Sequence, residues 1–412
     1  MSERAKYGAA SQRDFKGKLP VAFPRTMGPN TMRYLQEVID SGLSGEMVDR
    51  FEQTFAKRMG VKHCIGTPGC TAALSVLGSA LGFAPGDEIV FSSITDYGTV
   101  LGFVRENYIP VFADTAPGSI NINAQTIEAC ITDRTRAIVV VHKTGLVCDM
   151  DPIVTLVKKR GLLLVEDACQ ATFSTYKGRQ AGTMGDVGAF SFDAEKTVGS
   201  DTGGCLITNN EQLAERARYM GQSRAGEMKP GLGRVHTAPG YAYRMPMCTA
   251  AITLAQLEIA DENVQKRDRI IRLMYKKLAE IDGIKPPAVP AYQEVYSCWM
   301  AGFNIEAKKF RCTVDEFAKQ LADAGIPGAG TGRYYLMPAA LPFVQSAAQE
   351  QKYPFSQPPA TRRYSYSADS CPNAKAFLET FIRWATFNDR YTEEHCELAA
   401  QIVREVADKN RA

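Results

Sequence analysis

Short apolar runs alternate along residues 63–208 with longer stretches in which apolar side chains recur every three or four positions. The runs at 64–65, 87–92, 109–113, 137–142, 162–165, 187–192 and 205–208 read as strands, the one at 162–165 as a strand buried on both faces. Helical periodicity covers 32–39 and 48–59 before them, and 71–81, 99–106 and 153–160 between them. Strands separated by helices of this length make βαβ units. The pattern therefore predicts an α/β fold with a mostly parallel seven-stranded sheet between helices.

From Thr249 a long helical pattern runs through Leu254, Leu257, Ile270, Leu273, Met274 and Leu278, and ends before Gly283. It reads as a bridge between domains, broken by Pro286-Pro287 and Pro290. The pattern beyond is α+β. Thr313-Val314-Asp315-Glu316 is a capping box that opens a helix stopping at Gly325, and Thr392 caps a terminal helix carrying Leu398, Ile402 and Val406. Residues 353–370, rich in proline, serine and aromatics, read as a loop over the sheet edge or a subunit contact. The expected division is an N-terminal arm over 1–25, a large domain over 26–260 and a smaller C-terminal α+β domain over 261–412.

Composition narrows the function classes. An apolar fraction of 45% and a charged fraction of 23% are ordinary for a soluble globular chain. A net charge of +3, evenly spread, gives no footprint for nucleic acid or a membrane surface. No apolar run reaches membrane-spanning length, and Met1-Ser2-Glu3-Arg4 starts no signal peptide, so the expected compartment is the cytoplasm. The eleven cysteines are scattered and include no C-x-x-C pair, which suggests neither a disulfide framework nor a zinc knuckle. Cys64, Cys205 and Cys248 lie in apolar contexts and read as small packed hydrophobes. His63, His142, His236 and His395 lack metal-binding spacing, so no metal is expected.

The chemistry concentrates at the strand ends. Leu162-Leu163-Leu164-Val165 runs into Glu166-Asp167, and open α/β sheets bind ligands at the carboxyl ends of their strands. A buried aspartate there needs a cationic partner, and a protonated pyridine nitrogen is one. Lys196 follows the strand-like Gly188-Ala189-Phe190-Ser191-Phe192 and precedes a turn, Gly199-Ser200-Asp201-Thr202-Gly203-Gly204, that lets backbone approach a ligand. Most lysines are solvated surface charges, but one in this setting could hold the same cofactor as a Schiff base. Upstream, Gly69-Cys70-Thr71 places a glycine and a hydroxyl at a helix start, where free N–H groups and the helix dipole attract a phosphate; an ordinary N-cap reads the same way. Taken together, these residues point to pyridoxal 5'-phosphate (PLP).

With these residues in view, the chain resembles the DegT/DnrJ/EryC1/StrS aminotransferases, fold-type I PLP enzymes that mostly aminate keto sugars. The resemblance runs over about residues 32–406. It is carried by Glu166-Asp167-Ala168-Cys169-Gln170, by Gly185-Asp186-Val187-Gly188-Ala189-Phe190-Ser191-Phe192 with Lys196 following, and by Gly203-Gly204-Cys205-Leu206-Ile207-Thr208. Further matches are Val141-His142, Tyr243-Arg244-Met245 and Cys371-Pro372. The resemblance implies that Lys196 holds the cofactor as a Schiff base and then moves the proton, and that Asp167 keeps the pyridine nitrogen protonated. It also implies that Gln170 contacts the ring, that Thr71, the Cys70 backbone and Ser191 hold the phosphate, and that an aromatic, here Tyr97, stacks on the ring. An amino donor such as L-glutamate, a keto sugar or keto sugar acid as acceptor, and a homodimer complete the expectation.

Three positions depart from the family pattern. Ala242 in Gly240-Tyr241-Ala242-Tyr243-Arg244-Met245 replaces an asparagine that reaches the neighbouring subunit's phosphate. Ser200-Asp201-Thr202-Gly203-Gly204 replaces a Gly-Glu-Gly-Gly stretch. Lys143 stands where the family is often apolar or aromatic, and Lys143 or Arg244 would meet an anionic substrate group such as a carboxylate; a solvated or salt-bridged cation is the plainer reading of each. The blocks around 166–171, 176–178 and 185–188 lean toward relatives that aminate eight-carbon sugar acids. Sugar deoxygenation is disfavoured because relatives doing it carry histidine in place of Lys196. A non-catalytic regulator is disfavoured because Lys196 and Asp167 are both present, and a nicotinamide dehydrogenase because no G-x-G-x-x-G follows an early strand.

Overall fold

The structure, a computed structural model, describes residues 15–412. Positions 1–14 of the expected arm lie outside the described residues; of the rest, Phe15 and Leu19 are buried. The chain continues through α1 (Thr31–Asp40), α2 (Met47–Met59), β1 (His63–Thr67), α3 (Cys70–Leu81), β2 (Glu88–Ser92), α4 (Gly98–Arg105) and β3 (Ile109–Ala113). Then come α5 (Ala124–Glu128), β4 (Thr135–Val141), α6 (Met150–Arg160), β5 (Leu163–Asp167), β6 (Thr175–Tyr176), β7 (Arg179–Gln180), β8 (Val187–Ser191) and β9 (Gly204–Thr208). α7 (Glu211–Gly221) and the hairpin β10 (Gly226–Lys229) and β11 (Gly233–His236) lead to α8 (Met247–Glu258) and α9 (Ala260–Ala279).

The seven strands of the main sheet lie in the order β1-β9-β8-β5-β4-β2-β3. Only β9 runs against its neighbours, pairing antiparallel with both β1 and β8. The alternation of side chains builds two cores. Ile65, Phe91, Val139, Val165, Ala189 and Leu206 face α3, α4 and α7. Val90, Ile138, Val140, Leu164, Phe190 and Ile207 face α2, α6 and α8. On the second side Phe55 of α2 packs edge-on against Phe190 and Phe192, at centroid distances of 5.2 and 5.4 Å. Each such side chain removed from water contributes about 1.5–3 kcal/mol. On the first side α3 and α4 cross closely because Gly102 has no side chain: a Cβ there would lie 2.4 Å from Ser75 Cα.

A second sheet, β12 (Ile284–Lys285), β13 (Met300–Ile305), β14 (Gly330–Thr331) and β15 (Phe381–Thr386), has the order β12-β13-β15-β14 and is antiparallel throughout. Its helices are α10 (Val314–Asp323), α11 (Met337–Ala340), α12 (Pro342–Gln349), α13 (Pro372–Thr380) and α14 (Glu393–Lys409). The Thr313 and Thr392 caps form as expected, each closing a capping box. The single long helix expected after Thr249 is two: the backbone leaves the helical region at Ile259 (φ −103°, ψ 2°), separating α8 from α9. Residues 353–370 cross the β2–β3 edge, where Tyr364 and Arg362 bond Glu88 and the Tyr366 hydroxyl donates to Pro110 O at 2.7 Å. All eleven cysteines are free thiols. Cys64 and Cys205 are buried as expected, whereas Cys248 is exposed because it lies on the outer face of the first turn of α8.

The carboxyl end of β5 is pinned by Glu166, which is fully buried. Its carboxylate accepts from the backbone N–H groups of Gly182 (2.8 Å), Met184 (2.5 Å) and Gly185 (2.6 Å). His142 Nε2 lies 2.9 Å away. Because His142 Nδ1 accepts from the Cys148 N–H, the ring proton belongs on Nε2 and donates to Glu166. Glu166→Ala strands these donors in the core. It should lower unfolding free energy by about 3–5 kcal/mol in urea denaturation, and a loss below about 1 kcal/mol would refute the pinning role.

Candidate active site

The strand ends gather their side chains around one cavity of about 440 Å³. Six of the residues singled out from the sequence line it: Cys70, Thr71, Asp167, Gln170, Ser191 and Lys196. A larger cleft of about 750 Å³ lies between residues 116–123 and 285–290, and none of the singled-out residues lines it.

Asp167 occupies the floor. It has the same strand parity as Val165 and so points to the α3–α4 side, while Glu166 points the other way. Only 2% exposed, it accepts from the Thr99 hydroxyl at 2.7 Å and from the Cys169 N–H at 3.1 Å. Thr99 is held in turn by Thr95, at 2.8 Å. The sequence reading missed these hydroxyls, although their i, i+4 spacing at a helix start was visible. Gln170 is buried and accepts the Thr144 N–H through its side-chain oxygen at 2.7 Å.

At one end of the cavity lies the start of α3, with Gly69 as its N-cap residue and no side-chain cap. Gly204 passes directly over this end: a Cβ there would lie 2.4 Å from the Cys70 nitrogen. Thr71 is exposed toward the cavity, and Ser191 lies at the end of β8 beside it. An uncapped helix N-terminus with two hydroxyls suits a phosphate.

Lys196 sits in a turn after β8 that distant segments hold. Arg25 Nη1 donates to Ala194 O (2.6 Å) and Lys196 O (3.2 Å), and the Trp299 indole N–H donates to Glu195 O (3.1 Å). The Lys196 amine lies 3.9 Å from the Trp299 ring centre. Trp299 and Tyr335 are the aromatic walls of the cavity, both from the C-terminal part of the chain. Tyr97, the expected stacking residue, is instead half-exposed at the start of α4, and its neighbours Asp96 and Gly98 line the cavity.

Lys143 lies behind this wall. It is 1% exposed, its amine has no hydrogen-bond partner among the described residues, and the nitrogen stands 3.3 Å from the Tyr335 ring centre. Burial pulls its pKa down to about 7, with Lys196 adding to the decrease and Cys169, Asp96 and Asp167 opposing it. Arg244 is exposed and does not line the cavity. Ala242 is exposed too, between Tyr241 and Tyr243, whose rings stack at 4.6 Å beside Thr71 in an adjoining groove.

Comparison with known proteins agrees with this geometry. The GDP-perosamine synthase of Caulobacter vibrioides is 35% identical over 314 residues, spanning 75% of this chain and 83% of its own. The spore coat polysaccharide biosynthesis protein SpsC of Bacillus subtilis is 32% identical over 401 residues, spanning 94% of this chain and 97% of its own. Among solved structures, the aminotransferase TlmJ from Streptoalloteichus hindustanus superposes with a TM-score of 0.79 at 28% identity, over 95% of this chain and 99% of its own. The sequence model of the DegT/DnrJ/EryC1/StrS aminotransferase family matches residues 25–394, and with the strand-end aspartate, the lysine turn and the open helix start in one cavity, the chain belongs to that family.

Proposed function

We propose that this enzyme moves an amino group from an amino acid, L-glutamate in the first instance, to a keto sugar or keto sugar acid, with PLP held in the cavity of Asp167 and Lys196. The observation that carries this is the convergence of a buried carboxylate, a lysine and an uncapped helix N-terminus on one cavity. The residues present fit the cofactor. The α3 start with Thr71 and Ser191 would take its phosphate, Asp167 its ring nitrogen and Lys196 its aldehyde carbon. When bound, PLP supplies a cationic ring that withdraws electrons from the substrate carbon bearing the amino group.

The chain's own residues do the rest. Asp167, fixed by Thr99 and the Cys169 N–H, keeps a proton on the ring nitrogen by its charge. Lys196, once free of the cofactor, is the base that moves a proton at the substrate's amino-bearing carbon. Arg25 and Trp299 hold its turn at the backbone, so the side chain can swing while its root stays in place. Trp299 and Tyr335 exclude water from the side facing the C-terminal sheet. Lys143 supplies positive potential behind Tyr335, the end where a substrate carboxylate would sit. A homodimer is the proposed working unit. Exposed Met228 and Leu232 on the β10–β11 hairpin and Tyr97 beside the cavity support it.

Purified protein with PLP should absorb near the visible edge, lose that band with glutamate and regain it with one keto sugar of a panel. A protein that stays colourless, with nothing fixed on Lys196 by borohydride, would overturn the reading. Lys196→Ala should lower turnover by at least about 10³-fold and Asp167→Asn by about 10²–10³-fold, in steady-state assays, with folding unchanged by circular dichroism.

Lys143 adds a pH test. The free enzyme's Lys143 is charged below about 7 and neutral above it, so carboxylate affinity should weaken as pH rises through that value. Lys143→Met should raise KM for the carboxylate-bearing substrate about tenfold or more and flatten this dependence. A KM unchanged at pH 6 would remove Lys143 from substrate binding.

A further inference from the structure

Three electron-rich side chains meet at one point of the cavity wall, and the proposed cofactor site employs only one of them. The Cys70 and Cys169 thiols and a carboxylate oxygen of Asp167 all lie within 4.8 Å of one another. Two separate segments supply them: the first residue of α3, and the end of β5 with the turn that follows it. Cys70 and Cys169 are half-buried residues that line the cavity, while Asp167 is buried. The neighbouring Cys169, burial and the Asp167 charge push the Cys70 thiol's pKa well up, with Lys196 opposing. Donors gathered this closely from two segments leave room for one cation between them.

We propose that Cys70, Asp167 and Cys169 form a site for a thiophilic divalent cation, Zn²⁺ being the type, in the cofactor-free protein. If three donors stand 4.8 Å apart at most, a point between them lies no more than about 2.8 Å from each. Zinc–sulfur and zinc–carboxylate bonds are about 2.0–2.3 Å, so the donors close in by roughly half an ångström, within the reach of small side-chain rotations. Binding releases one proton from each thiol; the two thiolates and the carboxylate then hold the ion with a net charge of −1, facing Lys196. The fourth position opens on the cavity. Two thiols with one carboxylate match the soft-donor preference of zinc over magnesium or calcium.

Asp167 cannot turn the same carboxylate to a zinc ion and to a pyridinium nitrogen. Cation and cofactor therefore exclude each other, and this consequence alone rests on the cofactor site proposed above. The inference makes the loading of the enzyme responsive to free zinc through two thiols that perform no step of the transfer.

The test uses the full-length, cofactor-free protein. Calorimetric titration with Zn²⁺ should find one site, and Cd²⁺ should raise an ultraviolet thiolate charge-transfer band. Cys70→Ser and Cys169→Ser should each weaken binding at least tenfold, with Cys248→Ser unchanged as the exposed control. In the unaltered protein Zn²⁺ should also protect Cys70 and Cys169 from iodoacetamide, read by peptide mass spectrometry, which needs no variant to fold. Absence of the cadmium band, or zinc binding indifferent to both serine variants, overturns the site. PLP binding is read separately by its own absorbance. If PLP does not bind, the functional reading fails while the cation site is still judged by its thiols. If PLP binds and Zn²⁺ affinity is unchanged in the loaded protein, the mutual exclusion is overturned.

Discussion

Everything in the site depends on the alternation of two adjacent acids at the end of β5. Side chains of a strand point to opposite faces, so Glu166 and Asp167 cannot share an environment. Glu166 turns into the scaffold, where three backbone N–H groups and His142 absorb its charge. Asp167 turns to the cavity, where a hydroxyl and one N–H leave part of its carboxylate for a ligand. A register slip of one residue would exchange the two, placing the satisfied acid in the cavity and the needy one in the core. The buried pairing of β5 with β4 and β8 prevents this slip.

The remaining parts are brought to Asp167 by long-range contacts. The Lys196 turn has little regular structure of its own and takes its position from Arg25, 171 residues earlier, and from Trp299, 104 residues after Glu195. Asp167 sits on the rigid centre of the sheet, whereas Lys196 hangs between the two ends of the chain. That arrangement suits a fixed electrostatic partner and a moving base. The buried Lys143 amine, without a hydrogen-bond partner among the described residues, makes the wall behind Tyr335 sensitive to whatever negative group the cavity holds.

Much of this was legible because it is local. The seven strands announce themselves as apolar runs, and the capping boxes at Thr313 and Thr392 bring donor and acceptor within four residues. The strand-end aspartate and the lysine after β8 are local signals as well. What escaped reading is what tertiary packing decides. The break at Ile259 carries no proline or glycine, so helical periodicity runs straight through it. Tyr97 follows the strand expected to supply the aromatic wall, yet the backbone turn at the start of α4 directs it outward. The aromatic walls come instead from Trp299 and Tyr335, more than 100 residues beyond Lys196 in the chain, where no spacing rule reaches. Cys70 and Cys169 looked like scattered thiols for the same reason: nearly a hundred residues part them in sequence.

The segment over residues 353–370 does more than cover apolar surface. β3 is the last strand of its sheet, and such a margin normally invites a foreign strand to pair with it. Here Pro110 offers no N–H, and its carbonyl already accepts from Tyr366. Arg362 and Tyr364 anchor the covering segment to the neighbouring strand through Glu88, a fully buried acid that needs them as much as they need it. The sheet is thereby self-terminating on this side: it cannot template fibril-like growth while the strap is in place.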